Sequence, residues 1–209
     1  MNKKLSLDIV KELKLLIPDP KCELDFTNNF ELICAVMLSA QTTDKRVNMI
    51  TEKLFEKYKT PFDFKDLDIE ELEKYIMSCN YYHNKAKNII KMCQILVDKY
   101  GGKVPSTHDE LIGLPGVGNK TANVVQAVAF NQQALPVDTH VLRVSNRLGF
   151  VSTKDPTKCE TSLKDIFNGY DLMEIHHLLL LFGRYHCMAR NPKCDNCPLA
   201  KECEYKKEV

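Results

Sequence analysis

The 209-residue chain lacks an excess of either charge: 29 Lys and Arg stand against 28 Asp and Glu, a net charge of +1. Such a balance neither requires nor excludes a polyanionic partner. A nucleic-acid-binding chain of this kind has to gather its cations on one face. A long apolar run is also missing. The longest near the C-terminus is Leu178–Phe182, far short of the roughly 20 residues that span a bilayer. At the other end Asp8, Lys11, Glu12 and Lys14 interrupt any signal-peptide core, while Leu5, Ile9, Leu13 and Leu16 fall at helical spacing. We expect a cytoplasmic protein, nucleoid-associated if bacterial. Internal repeats, low-complexity tracts and long linkers are absent. The 44% hydrophobic and 27% charged content is ordinary globular composition.

No segment shows sustained period-two alternation with hairpin turns, and this argues against a sheet. What is present is helical periodicity. It runs through "FELICAVMLSAQTTDKRVNMITEKLFEKY", "DIEELEKYIMSC" and "NKAKNIIKMCQILVDKY", and on through "TANVVQAVAF", "THVLRVSNRLGF", "PTKCETSLKDIF" and "DLMEIHHLLLLFGRYHC". The fold class is all-α, with about ten helices. Residues 21–132 form one helical lobe. The N-terminal helix cannot be placed by pattern alone; we group residues 1–20 with 133–209 in a second lobe. The acidic stretch "DFKDLDIEELE" faces solvent away from any polyanion. Lys120, Arg143, Arg147, Arg184, Arg190 and Lys193 have few acidic neighbours in sequence, which is compatible with a nucleic-acid face.

Within "LIGLPGVGNKTAN" a glycine-rich turn precedes one lysine. An ATP loop needs G-x-x-x-x-G-K-[ST] after a strand, and both the spacing and the helical "THDELIGL" upstream exclude it. A dinucleotide loop lacks its third glycine. What remains is helix, short turn, helix. Pro115 discourages helix at Leu114, and Gly116 and Gly118 can take positive φ. Backbone N–H groups of the turn and of the next helix can then bind one phosphate. On the glycines alone, a plain loop between packed helices is an equal reading. On position alone, Lys120 reads as a counter-charge to phosphate.

Nine cysteines in a reducing setting are not a disulfide framework. Cys22, Cys34, Cys79, Cys93 and Cys159 sit in helix-like apolar surroundings and read as small buried hydrophobes. Cys187, Cys194, Cys197 and Cys203 are spaced C-x6-C-x2-C-x5-C. Four thiolates bind zinc or an iron–sulfur cluster, and the count leaves both open. Only one short C-x-x-C pair occurs, whereas structural zinc sites commonly use two.

"LPGVGNKTA" closely resembles the hairpin of the helix–hairpin–helix DNA glycosylases. With "ELICAVMLSAQTTD", "PVDTHVLRV" and the four-cysteine tail, essentially the whole chain resembles their endonuclease III branch. The resemblance implies two helical lobes with a DNA-binding cleft between them, the helix–hairpin–helix at about 108–130, and a [4Fe–4S] cluster on Cys187, Cys194, Cys197 and Cys203. It implies a base-excision repair enzyme that removes oxidised pyrimidines from double-stranded DNA as a monomer and cuts 3′ to the abasic site by β-elimination. Lys120 falls at the family's catalytic lysine. The positive potential of a helix N-terminus, with partial burial, favours the amine that forms a Schiff base. Asp138 falls at the essential aspartate, and its place before an apolar-periodic run also makes it a helix N-cap. The carboxylate can stabilise charge on the sugar or assist deprotonation.

The resemblance implies that the backbone of Leu114, Gly116, Val117 and Gly118 anchors a phosphate together with Thr121. Arg143, Arg147, Arg190 and Lys193 join it as cations. Gln41 matches the residue inserted into the duplex. The opposite wedge falls in "CNYYHNKA", where related sequences commonly read Gly-Leu-Tyr; here Asn80 replaces the glycine and Tyr81 the leucine. Asn119, often arginine in relatives, removes one phosphate contact. His140, His176 and His177 read as structural. Two other readings remain: a helix–hairpin–helix DNA-binding iron–sulfur protein with dead or different chemistry, and a zinc-stabilised helical scaffold.

Overall fold

The computed structural model describes residues 3–208; Met1, Asn2 and Val209, included in the expected bounds of the second lobe, lie outside them. Among the described residues there are twelve α-helices, one 3₁₀ turn (Cys194–Asn196) and no strand. The helices are α1 (Lys3–Leu16), α2 (Asn29–Ser39), α3 (Asp44–Lys57), α4 (Pro61–Phe64), α5 (Ile69–Ile76) and α6 (Tyr82–Tyr100), followed by α7 (His108–Ile112), α8 (Asn119–Phe130), α9 (Thr139–Arg147), α10 (Pro156–Ile166), α11 (Leu172–Tyr185) and α12 (Glu204–Glu208). The all-α expectation holds, with two more helices than "about ten". Short helices such as α4 are set by local capping and not by an apolar period. In α4, Thr60 and Asp63 form a reciprocal capping box around Pro61.

Side-chain caps account for most helix starts. Asn28, Thr43, Asp68, Thr107, Asp138, Asp155 and Asp171 each accept a backbone N–H from the first turn that follows. The long periodic stretch from Phe30 to Tyr58 is two helices, broken where Ser39 O accepts from Thr42 N in a tight turn.

The chain divides into two compact units: Glu23–Gln132, and Met1–Cys22 with Gln133–Val209. In the first, α2 is buried on every side from Phe30 to Leu38, and α3, α6 and α8 pack against it. Phe64 fills the space beside it, edge-on to Phe30 and Tyr58. In the second, α11 packs against α1 and α9 around Leu13, Val141, Val144, Phe167, Leu178 and Leu179. Gly183 permits the close approach of α11 to α9, since a Cβ there would stand 2.9 Å from Val144 Cγ2 and 3.0 Å from His140 Cβ.

Cys34, Cys79, Cys93 and Cys159 are buried, and Cys22 is only half-buried. His176 and His177 are packing residues: both are buried, their rings meet edge to face, and His176 Nδ1 lies 2.7 Å from Pro136 O. No helix among the described residues is long and apolar enough to cross a membrane.

Replacing Gly183 with valine forces α9 and α11 apart. Overpacking of this kind costs about 1–3 kcal/mol. We expect a lower thermal midpoint for Gly183→Val, read by circular dichroism, with helix content retained at low temperature.

Candidate functional site

The glycine-rich turn joins α7 to α8. Val117 N donates to Leu114 O at 3.1 Å, which places Pro115 and Gly116 at the centre of a β-turn, and Gly116 takes φ 80° as a type II turn requires. A Cβ on Gly116 would collide with Met37 Cε and Asn88 Cβ at 2.8 and 2.9 Å. Gly118 is different: its backbone is extended (φ −96°, ψ 176°), not positive in φ as expected, and it is the N-cap of α8 without a capping side chain. A Cβ there would meet nothing within 4 Å. The leading N–H groups of α8 have no intrahelical acceptor by geometry. Leu114 and Val117 are buried, and their N–H groups donate to Leu111 O and Leu114 O within the turn.

Lys120 is the second residue of α8 and is exposed, not partly buried as expected. Asp138 caps α9, its Oδ1 accepting from His140 N at 2.9 Å and Val141 N at 2.8 Å. Lys120 and Asp138 belong to different units. His140 has a structural part: its Nδ1 lies 3.3 Å from Arg143 Nη2. Thr121 is half-buried in the first turn of α8.

Gln41 and Tyr81 are both exposed, Tyr81 at 64%, and both adopt left-handed backbone, φ 56° and 58°. Each costs of order 1–3 kcal/mol for a non-glycine residue, so the surroundings must hold them. Asn80, which precedes Tyr81, donates Nδ2–H to Gln41 O at 2.6 Å and ties the two segments together.

The four clustered cysteines line one pocket, together with Leu148, Phe182, His186, Lys193 and Tyr205. Burial pushes the Cys197 thiol up, and Cys203, Cys187 and Cys194 act in the same direction, as closely grouped sulfurs do. Thiols spread around the walls of a pocket suit a polynuclear cluster, whose iron atoms lie apart. His186 adds a second indication. Its ring stacks on Phe182 at 4.9 Å, and its Nε2 is buried without a hydrogen-bond partner. A buried polar atom left so costs about 1–3 kcal/mol, which a cluster sulfur as acceptor would remove. The residues present therefore fit an iron–sulfur cluster.

Arg143 and Arg147, expected among the DNA contacts, turn inward. Arg143 donates from Nη2 to Gly183 O at 2.8 Å and from Nε to Cys187 O at 3.2 Å. Arg147 donates from Nη1 to Met188 O at 2.8 Å and from Nη2 to Ala189 O at 3.3 Å, with its guanidinium 4.3 Å from the Tyr205 ring centre. The end of α11 leaves carbonyls that need donors, and these two side chains supply them. Burial pushes the Arg143 guanidinium below its usual range, and the charge of Arg147 adds to this. Arg190 and Lys193 are exposed on the loop so held.

Residues 34–168 match the HhH-GPD superfamily of base excision DNA repair proteins, and residues 187–203, bounded by Cys187 and Cys203, match the iron–sulfur binding domain of endonuclease III. The endonuclease III of Bacillus subtilis (strain 168) is 50% identical over 90% of this chain and 86% of that protein. That of Escherichia coli (strain K12) is 43% identical over 100% and 99%. A solved structure of a trapped endonuclease III–DNA covalent intermediate, an estranged-adenine complex, is 48% identical with a TM-score of 0.95, covering 100% of this chain and 98% of that one. A thermostable thymine-DNA glycosylase, 24% identical with a TM-score of 0.85, shares the fold.

The chain is thus a base-excision repair protein of the HhH-GPD superfamily. Within that superfamily it belongs to the endonuclease III family, as a DNA glycosylase and abasic-site lyase that carries a [4Fe–4S] cluster.

Sequence reasoning missed the inward roles of Arg143 and Arg147, the buried Nε2 of His186, and Lys85. The last had a legible signal: Lys85 falls in register with Ile89, Met92 and Leu96 on the buried stripe of α6.

The cap on α9 separates two contributions of Asp138. Asp138→Ala removes the cap and should cost about 1 kcal/mol, whereas Asp138→Asn keeps a good N-cap and should change stability by only a few tenths of a kcal/mol. Chemical denaturation of both variants measures the difference.

Proposed function

We propose that Lys120 is the nucleophile and Asp138 its partner in excising oxidised pyrimidines from double-stranded DNA and cleaving the resulting abasic sites. The observation that carries this reading is the position of Lys120, exposed in the first turn of α8 directly behind the uncapped Gly118. The backbone of residues 114–118 and Thr121 holds a DNA phosphate there, and Arg190 and Lys193 offer further cations. The protein acts as a monomer in the cytoplasm.

The target nucleotide is extruded from the duplex, and Gln41 and Tyr81 fill the space it leaves. The neutral amine of Lys120 attacks C1′ and the bond from C1′ to the base breaks. The Asp138 carboxylate stabilises the positive charge that develops on the sugar and assists removal of the lysine proton. Opening of the sugar ring leaves a Schiff base between Lys120 Nζ and C1′. Loss of a C2′ proton then expels the 3′ phosphate by β-elimination, and water releases the enzyme from the cleaved end.

Cys187, Cys194, Cys197 and Cys203 hold the cluster, which when bound cross-links the C-terminal loop. With the carbonyls at 187, 188 and 189 held by Arg143 and Arg147, the loop has little freedom left. Its exposed Arg190 and Lys193 are thereby presented from a rigid base.

Borohydride trapping tests the chemistry. Wild type incubated with abasic-site DNA and reductant should give a covalent adduct, and Lys120→Ala none. Asp138→Asn should form adduct about 100-fold more slowly, the lower end of what acid–base groups contribute. An undiminished adduct in Lys120→Ala would sink the assignment. For the cluster, Cys197→Ala should lose iron and brown colour in the purified protein. Full iron content in that variant would remove it from the ligand set.

A further inference from the structure

The turn that carries Gln41 follows a buried helix, α2, whose final carbonyls have no intrahelical donors. Each carbonyl from residue 38 to residue 41 is nonetheless bonded. Lys85, buried at 8% exposure, reaches across 47 residues of sequence and donates its ammonium to Leu38 O at 2.8 Å and Ala40 O at 2.7 Å. The same ammonium stands 3.3 Å from Thr42 Oγ1. Ser39 O accepts from Thr42 N at 3.0 Å, and Gln41 O accepts from Asn80 Nδ2 at 2.6 Å.

A lysine in this position is unusual on physical grounds. Its stripe on α6 otherwise buries apolar side chains, and burial pulls the Lys85 amine below its usual range. Its acceptors are two backbone carbonyls and one hydroxyl, and among the described residues no carboxylate joins them. Holding a cation there serves the C-terminal end of α2, where the helix dipole is negative. The segment it holds contains Gln41 in left-handed backbone, a conformation that an unsupported glutamine rarely adopts. Asn80 secures the far side of the same residue and precedes Tyr81, the second left-handed position.

We propose that Lys85 and Asn80 are positioning residues for base excision: together they lock the Gln41 turn so that its side chain stands ready to enter the duplex, and Asn80 keeps it in step with Tyr81. Neither touches the reacting atoms. The proposal rests on the reading of Gln41 as the inserted residue. It gives Asn80 a defined task at a position where glycine could not supply the bond.

A double-mutant cycle on single-turnover excision from an oxidised-pyrimidine duplex decides it. Asn80 is exposed, so Asn80→Ala should fold with native helix content and only a small drop in thermal midpoint. It should slow excision roughly tenfold, within the range of coupled neighbours. In a Gln41→Ala background, where the side chain to be positioned is gone, the same substitution should cost nothing further. An equal cost of Asn80→Ala in both backgrounds, or none in either, would overturn the proposal. Full-rate excision by Gln41→Ala would remove the insertion reading itself, and the positioning role with it. Lys85→Met should behave as Asn80→Ala does in the cycle. If Lys85→Met fails to fold, the Asn80 arm still decides for that residue, and Lys85→Arg, which keeps the cation but changes its reach, takes its place in the cycle; a folded Lys85→Arg slowed equally in both backgrounds would exclude Lys85 from the clamp.

Discussion

Helices leave unpaired backbone groups at both ends, and an all-helical fold multiplies them. Several positions proposed to act in base excision sit at such ends. Gly118 opens α8 without a side-chain cap, while Asp138 closes the start of α9 with its carboxylate. Gln41 follows the end of α2, Tyr81 is the N-cap of α6, and the cysteine loop begins where α11 stops. The uncapped end has N–H groups to offer a phosphate, and the capped end a carboxylate held in a set direction. Where a carbonyl must be satisfied within the protein, a long side chain from elsewhere in the unit is brought to it.

That last arrangement recurs. Arg143 and Arg147 serve the carbonyls in the last turn of α11 and just beyond it, and Lys85 serves those at the end of α2. In each case the cation is a structural donor, half-buried for the two arginines and buried for the lysine. Arg190 and Lys193, by contrast, are exposed, next to the backbone that the two arginines hold.

Much was legible in one dimension. Apolar spacing gave the helical class, because 3.6-residue periodicity survives any later packing. The cysteine spacing, with the resemblance, pointed to the cluster that the family match supports. Acidic and hydroxyl residues ahead of periodic runs marked helix starts, Asp138 among them, since capping is a local interaction. Less legible were breaks within an unbroken pattern. The chain from Phe30 to Tyr58 reads as one apolar rhythm, yet it turns at residues 39–42. Gly116 and Gly118 can both take positive φ, but in the turn the fold gives that conformation to Gly116 alone.

The helical class, the local caps, the hairpin and the family follow from residues close in the chain or from their spacing. Tertiary structure decided which cations are spent indoors and which remain outside, since an arginine bonded to a carbonyl 40 residues away looks in sequence like any other arginine. It also decided how Gln41 is held. The bonds from Lys85 and Asn80 span 39 to 47 residues, and only packing α6 against α2 brings those donors to the carbonyls that need them.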